Sequence, residues 1–247
     1  MSKFGESTNL FVLLRMCWNE QVSFLTYIIV IIIIYYIVQQ NPSDTIRWQC
    51  YFALAFITIQ LLEGFLWISI KGRNNQLNAL ITALVLIALW SQPLINTYYG
   101  YKLGDISESN KTILLIAYVI FAVILVYMIF RAVQNWRGFN TETTASCHLK
   151  WTRSDSKYSF MSDIPYLPLL YIGGLLLPLL MIQDKKQSWL LFGIGLVTLI
   201  VALMFYRKDG SFSSMWCFLA FFYVLGILYL SFNEQQEYPS EEVVVQI

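Results

Sequence analysis

The sequence predicts an all-α fold, a polytopic transmembrane helical bundle of about seven spans, and three observations carry that prediction. Of 247 residues, 57% are hydrophobic and 13% charged, about half the charge of an ordinary soluble domain. Mean hydropathy is +0.58, and a water-facing surface of that character would expose large apolar patches. Finally, seven runs of close to 20 mostly apolar residues alternate with charged or turn-forming stretches. About 20 such residues as a helix cross a hydrocarbon core of about 30 Å.

The elements follow in order. Residues 1–20 include Leu10-Phe11-Val12-Leu13-Leu14-Arg15-Met16-Cys17-Trp18, which reads as an interfacial segment leading into the first span. The seven spans of the transmembrane domain, residues 21–232, are 21–38, 48–70, 77–99, 112–130, 165–182, 189–206 and 214–232. The apolar core of the first, Phe24 to Val38, is long for a signal peptide, and Gln39-Gln40-Asn41-Pro42 offers no small-residue cleavage site; it reads as a retained anchor. The run Ile29-Val30-Ile31-Ile32-Ile33-Ile34 does not alternate in polarity, so helices fit better than barrel strands. The fifth run contains Pro168, Gly173, Gly174 and Pro178 and is expected to be kinked or broken. Residues 131–164 form a long loop, and loops of that length are either functional or disordered. The segment 233–247 carries four glutamates and no base, which predicts a disordered acidic tail. No internal repeat is evident, which gives no support to an inverted-repeat transporter.

Basic residues orient the bundle. If the N-terminus marks side one, that side holds 11 Lys and Arg, and side two holds 5: Arg47, Lys102, Lys111, Lys185 and Lys186. The bias predicts a cytoplasmic N-terminus and an external or lumenal C-terminus.

A few polar residues stand in costly places. Glu63 lies inside the second span, where an ionised side chain costs at least about 2.5 kcal/mol and ordinarily has a partner. Gln60, Glu63 and Trp67 are three and four residues apart and share one helix face, and Gly64 beside them lets another helix approach closely. Glu63 is therefore either a proton- or cation-binding carboxylate or a protonated, hydrogen-bonded group that fixes helix packing. The third span carries Gln92-Pro93 and Asn96. Gln92 and Asn96 share a face one turn apart, which suits the lining of a polar path or bonding to neighbouring helices. At about 1.5 Å per residue, Glu63 lies roughly 12 Å from the side-one end of its span and Gln92 roughly 22 Å from its own, so the two sets need not meet.

At the side-one end stand Cys17, Asn19 and Ser23, together with the only histidine, His148, in Cys147-His148-Leu149-Lys150-Trp151. The four cysteines are scattered and suggest neither a disulfide framework nor a zinc ribbon. Adjacent Cys147 and His148 make poor chelate geometry, so neither metal nor cofactor is expected. Asn110-Lys111-Thr112 forms a glycosylation sequon hard against the fourth span, and Val245-Gln246-Ile247 imitates a strand-adding C-terminal ligand.

Cys17-Trp18-Asn19 with Ser23, Gln92-Pro93 with Asn96, and His148-Leu149-Lys150-Trp151 together resemble an uncharacterised multi-pass membrane family of large DNA viruses and some microbial eukaryotes. The resemblance covers roughly residues 16 to 151. It implies a helical membrane fold whose polar motifs belong together, and it brings no activity.

Several functions are excluded. No lysine lies within a span, so no retinal Schiff base can form. One histidine cannot build a multi-histidine hydrolase site, and GxSxG, HExxH and Walker motifs are absent. A net charge of +1 gives no sign of nucleic acid. The expected partners are the lipid bilayer and copies of the chain in a homo-oligomer. Three readings stay open: a protein that binds or passes a small solute or ion under the control of Glu63, a structural protein of an internal or viral membrane, and, third, a lipid-modifying enzyme.

Overall fold

Short polar side chains set the helix starts in the computed structural model, which describes residues 19–154, 160–161 and 163–237. Helix α1, Glu20–Gln39, begins where Asn19 Oδ1 accepts the Val22 amide at 3.0 Å. Helix α2, Asp44–Lys71, is capped by Ser43, and α3, Asn75–Leu103, by Asn74, whose Oδ1 accepts the Leu77 amide at 3.0 Å. Each cap satisfies an otherwise orphaned amide of the first turn. Helix α4 covers Glu108–Asn135. A 3-10 turn, Trp136–Gly138, then leads into strands β1, Phe139–Thr143, and β2, Leu149–Arg153, paired antiparallel with Thr141 opposite Trp151. Helices α5, Leu167–Leu180, α6, Lys185–Tyr206, α7, Phe212–Leu219, and α8, Phe221–Glu237, complete the described residues.

The result is an all-α bundle with one small hairpin. Among the described residues, six segments are long and apolar enough to cross a membrane, α7 and α8 counting together as one. Burial assigns their places. In α2 and α3, 61% of the apolar window is buried, against 28% in α1 and α6 and 17% in α4. The first two therefore form the centre, and the others carry their valines and isoleucines outward. Val123, Val126 and Val133 on α4 are each at least 65% exposed, an arrangement suited to hydrocarbon. Helix ends alternate as the span order requires. Lys71 pairs with Glu20 at 2.6 Å on side one. On side two the Ser43 amide donates to Glu234 Oε2 at 3.0 Å and the Gln183 amide to the Asp105 carbonyl at 2.9 Å.

The helix and strand boundaries differ from the expected ones in four places. The fifth run forms a helix of 14 residues, about 21 Å long, too short to cross alone. Pro168 sits in its first turn, where the missing amide costs nothing, and Pro178 lies in its last. The lead-in to α5 is tied to the bundle: Trp90 Nε1 donates to the Met161 carbonyl at 3.1 Å, and Asp163 pairs with Arg131 and Arg153. The seventh run is interrupted at Ala220. The long loop is also partly ordered, since α4 continues to Asn135 and the hairpin follows. Helix α8 runs on through Glu237, into the segment expected as tail. The interfacial segment up to Trp18 and the terminal Val245-Gln246-Ile247 lie outside the described residues, while Asn110-Lys111-Thr112 falls in the first turns of α4.

Gly64 shows what close approach requires. A Cβ there would stand 2.5 Å from the Phe24 ring of α1. Gly64→Val should therefore push α1 from α2 and cost about 1–3 kcal/mol, read as a lower unfolding midpoint in detergent, whereas Gly193→Val, with no atom within 4 Å of the added Cβ, should leave that midpoint unchanged.

Candidate functional site

Glu63 faces a small enclosed cavity at the side-one end of the bundle. Its walls are Ser23 from α1, Glu63 and Trp67 from α2, His148 and Leu149 from the hairpin, and Ser214, Met215 and Phe218 from α7. About 10 Å³ is open to the centre of a water-sized particle, enough for about one. Gln60 Nε2 donates to Glu63 Oε2 at 2.8 Å, an i to i+3 bond on the shared face. Glu63 Oε1 is buried without a hydrogen-bond partner, although Ser214 stands beside the carboxyl group. A buried carboxyl oxygen left this way costs about 1–3 kcal/mol, so the arrangement invites a ligand.

The hairpin forms the roof, and Asn78 holds it there. Asn78 Nδ2 donates to the Thr141 carbonyl at 3.0 Å while its Oδ1 accepts the Thr141 amide at 2.8 Å, so one side chain pairs with β1 as a strand would. Thr82 Oγ1 adds a 2.6 Å bond to Thr141 Oγ1. His148 stands edge-on to the Tyr206 ring at 5.0 Å. Below the hairpin turn, Asp209 accepts hydrogen bonds from the Ser146 hydroxyl and from Ser211 Oγ at 2.6 Å. Burial alone would raise the Asp209 pKa, but these bonds and the nearby His148 outweigh it and hold the group below the ordinary carboxylate range.

Burial lowers the His148 pKa from its ordinary value, with Asp209 opposing part of the shift. The imidazole is then neutral in the folded state while the unfolded chain takes up a proton below pH about 6.5. Its contribution to stability is complete above that pH and is lost as pH falls through the folded-state value. Asp209 acts lower, being lost only below the ordinary aspartate range. Among the described residues, Tyr206, Asp209 and, across the cavity, Glu63 are titratable groups facing His148. Hairpin amides should exchange faster at pH 5.5 than at pH 7.5 after correction for intrinsic rates, and His148→Gln should remove most of that difference.

The structure brings Ser23, Glu63, Trp67 and His148 to one cavity, with Gln60 bonded to Glu63. It does not bring Gln92 and Asn96 there. Gln92 Oε1 accepts the Tyr171 hydroxyl of α5. Asn96 Oδ1 accepts Trp48 Nε1 at 3.0 Å, and its Nδ2 donates to the Gly174 and Leu175 carbonyls at 3.1 Å each. Both residues therefore tie α3 to its neighbours, and Gln49 accepting the Tyr223 hydroxyl does the same between α2 and α8. Asn19 caps α1. Trp151 lies on the inward side of β2 against Phe160, 5.8 Å between rings. Cys17 lies outside the described residues. Cys147 is disulfide-bonded, a correction to the reading of the cysteines, and it leaves no thiolate there for a metal. Ser214 and Asn78 were missed by sequence reasoning. Ser214 was legible only as a hydroxyl at the mouth of the last span, and Asn78 as a polar residue near a helix start.

No family model matches the chain, and no solved structure does. One curated relative, Uncharacterized protein R287 of Acanthamoeba polyphaga mimivirus, is 28% identical over 98 residues, covering 35% of this chain and 39% of that protein. The chain thus matches about two fifths of the relative's length. The similarity links it to an uncharacterised protein of a large DNA virus.

Proposed function

We propose that this is a membrane-spanning protein that binds one small cation, a proton or a monovalent metal ion, at Glu63 beneath the side-one hairpin. The single observation that carries the reading is the buried, unpartnered Glu63 Oε1 facing a cavity of one-particle size. Carboxylate and hydroxyl oxygens from Glu63, Ser23 and Ser214 suit a hard cation, and a cation offsets the cost of a charge at that depth. Binding is better supported than passage, because Gln92, Asn96 and Gln49 are engaged between helices. Those same pairs favour a structural role as the second reading. The viral relative and the side-one motifs support placing the chain with the uncharacterised multi-pass proteins of large DNA viruses.

The test compares the purified full chain with Glu63→Gln in detergent. A ligand of the folded state raises stability by about 2.7 kcal/mol at one hundred times its Kd. The unfolding midpoint of the parent chain should rise with sodium concentration at constant ionic strength, or with acidification at fixed sodium if the proton is the ligand. Glu63→Gln should show no response to sodium and, on acidification, only the loss of stability that His148 brings. Equal responses in both proteins, with Glu63→Gln merely less stable, would leave the structural reading standing instead.

Basic-residue bias supports a cytoplasmic side one, while the Cys147 disulfide pulls the other way, because cytosolic thiols stay reduced. Protease cleavage of the hairpin from one side of sealed vesicles decides between them.

A further inference from the structure

A second feature shares no lining residue with the Glu63 cavity. Between α6 and the broken last span runs an apolar groove of about 520 Å³, walled by Trp189, Gly193 and Val197 on α6 and by Leu219 and Phe222 across it. Gly193 forms its floor: a Cβ there would meet nothing within 4 Å. Trp189 to Val201, all along this wall, is twelve residue steps, or about 18 Å of helix. That is a little more than one leaflet of a hydrocarbon core about 30 Å thick. The groove is open to the surrounding hydrocarbon, with Trp189 62% and Val197 59% exposed.

Charge at its mouth selects the occupant. Lys185 and Lys186 stand one turn above Trp189 and Leu190 on the same helix. The other side-two bases are already engaged: Arg47 with Asp44, Lys111 with Glu108, and Lys102 over the Tyr101 ring. Lys185 also donates to the Ile182 carbonyl at 3.0 Å, which leaves two of its three donor protons for another acceptor. The Asp184 carboxylate is turned to the Lys186 and Gln187 amides, and Lys186 borders a polar depression that also holds Asp105 and Glu234. Lys185 is therefore the principal anion contact. We propose that the groove holds one acyl chain of an anionic phospholipid from the side-two leaflet, its phosphate against Lys185 and Lys186. An apolar channel one leaflet deep takes the chain, and basic groups at the interface take the headgroup.

The experiment is native mass spectrometry of the full chain released from vesicles of equal phosphatidylglycerol and phosphatidylcholine. The parent chain should retain one phospholipid, enriched several-fold in phosphatidylglycerol. Gly193→Leu, which fills open space and so keeps the fold, should lower retention at least tenfold, while Gly193→Ala should keep it. Lys185→Gln with Lys186→Gln should bring the retained lipid to the vesicle ratio. Retention unchanged by Gly193→Leu, or no headgroup enrichment in the parent chain, would overturn the proposal. So would a lipid-free dimer that Gly193→Leu dissociates, because the groove would then be filled by a second copy.

Discussion

Asn78→Leu should release the hairpin from the bundle. The substitution leaves the Thr141 amide and carbonyl without partners in a buried place. Each orphaned group costs about 1–3 kcal/mol, so a loss of about 2–4 kcal/mol is expected. The Thr141 hydroxyl keeps its bond to Thr82, which moderates the loss without restoring the backbone pairing. The effect should be local: amide exchange at Thr141 and its neighbours should accelerate by two orders of magnitude or more, while amides in the middle of α2 and α3 keep their protection. Because His148 and Leu149 roof the Glu63 cavity, the same variant should weaken the cation response. Unchanged protection at Thr141 would show that the strands hold to the bundle by other means.

Asn96→Leu should be nearly as damaging, for a different reason. Asn96 spends both its donors and one acceptor lone pair between helices, accepting from Trp48 of α2 and donating to two carbonyls of α5. Interhelical hydrogen bonds in membranes contribute about 0.6 to 2 kcal/mol each; the Leu175 carbonyl has a donor in its own helix, but Gly174 stands four residues before Pro178, which has no N–H to offer it. The loss should be about 2 kcal/mol, shared between the buried Trp48 N–H and the Gly174 carbonyl. Trp48→Phe removes the donor and leaves the Asn96 oxygen unpaired, whereas the double variant removes both groups, so the two substitutions should be less than additive. Additive losses would mean that the 3.0 Å contact contributes little, and that the tryptophan matters only for the volume it fills against Gly100.

The helices were legible because hydrocarbon thickness imposes a length on any apolar run, and because Asn19, Ser43, Asn74 and Asp184 stand where helices need caps. Two features were not. Ala220, between Leu219 and Phe221, carries neither proline nor glycine, so nothing local marks the interruption of the last span. The lead-in to α5 depends on Trp90 and on the Asp163 ion pairs, contacts set by tertiary packing. The hairpin left a trace: Leu149, Trp151 and Arg153 alternate inward along β2, a period-2 signal hidden within a segment read as loop. Glu63 stood out in the sequence through its cost. That Ser23 and His148 meet it could not be read from spacing, because the hairpin crosses more than 60 residues to dock on Asn78. Gln92 and Asn96 were legible as polar residues at depth, but their partners Tyr171 and Trp48 lie 79 and 48 residues away. Burial also changes what cysteine chemistry reports: Cys50 is fully buried, so labelling from side two should pass it by.

The central claim concerns the Glu63 carboxyl group, and infrared difference spectroscopy observes carboxyl groups directly. Spectra of the full chain in vesicles would be recorded on exchange of sodium for a large organic cation, and again on a step in pH. A carboxyl or carboxylate band that responds to one of these changes and is missing from Glu63→Gln is the predicted result. A difference spectrum identical in the two proteins would contradict it and leave Glu63 as a residue that only holds helices in place.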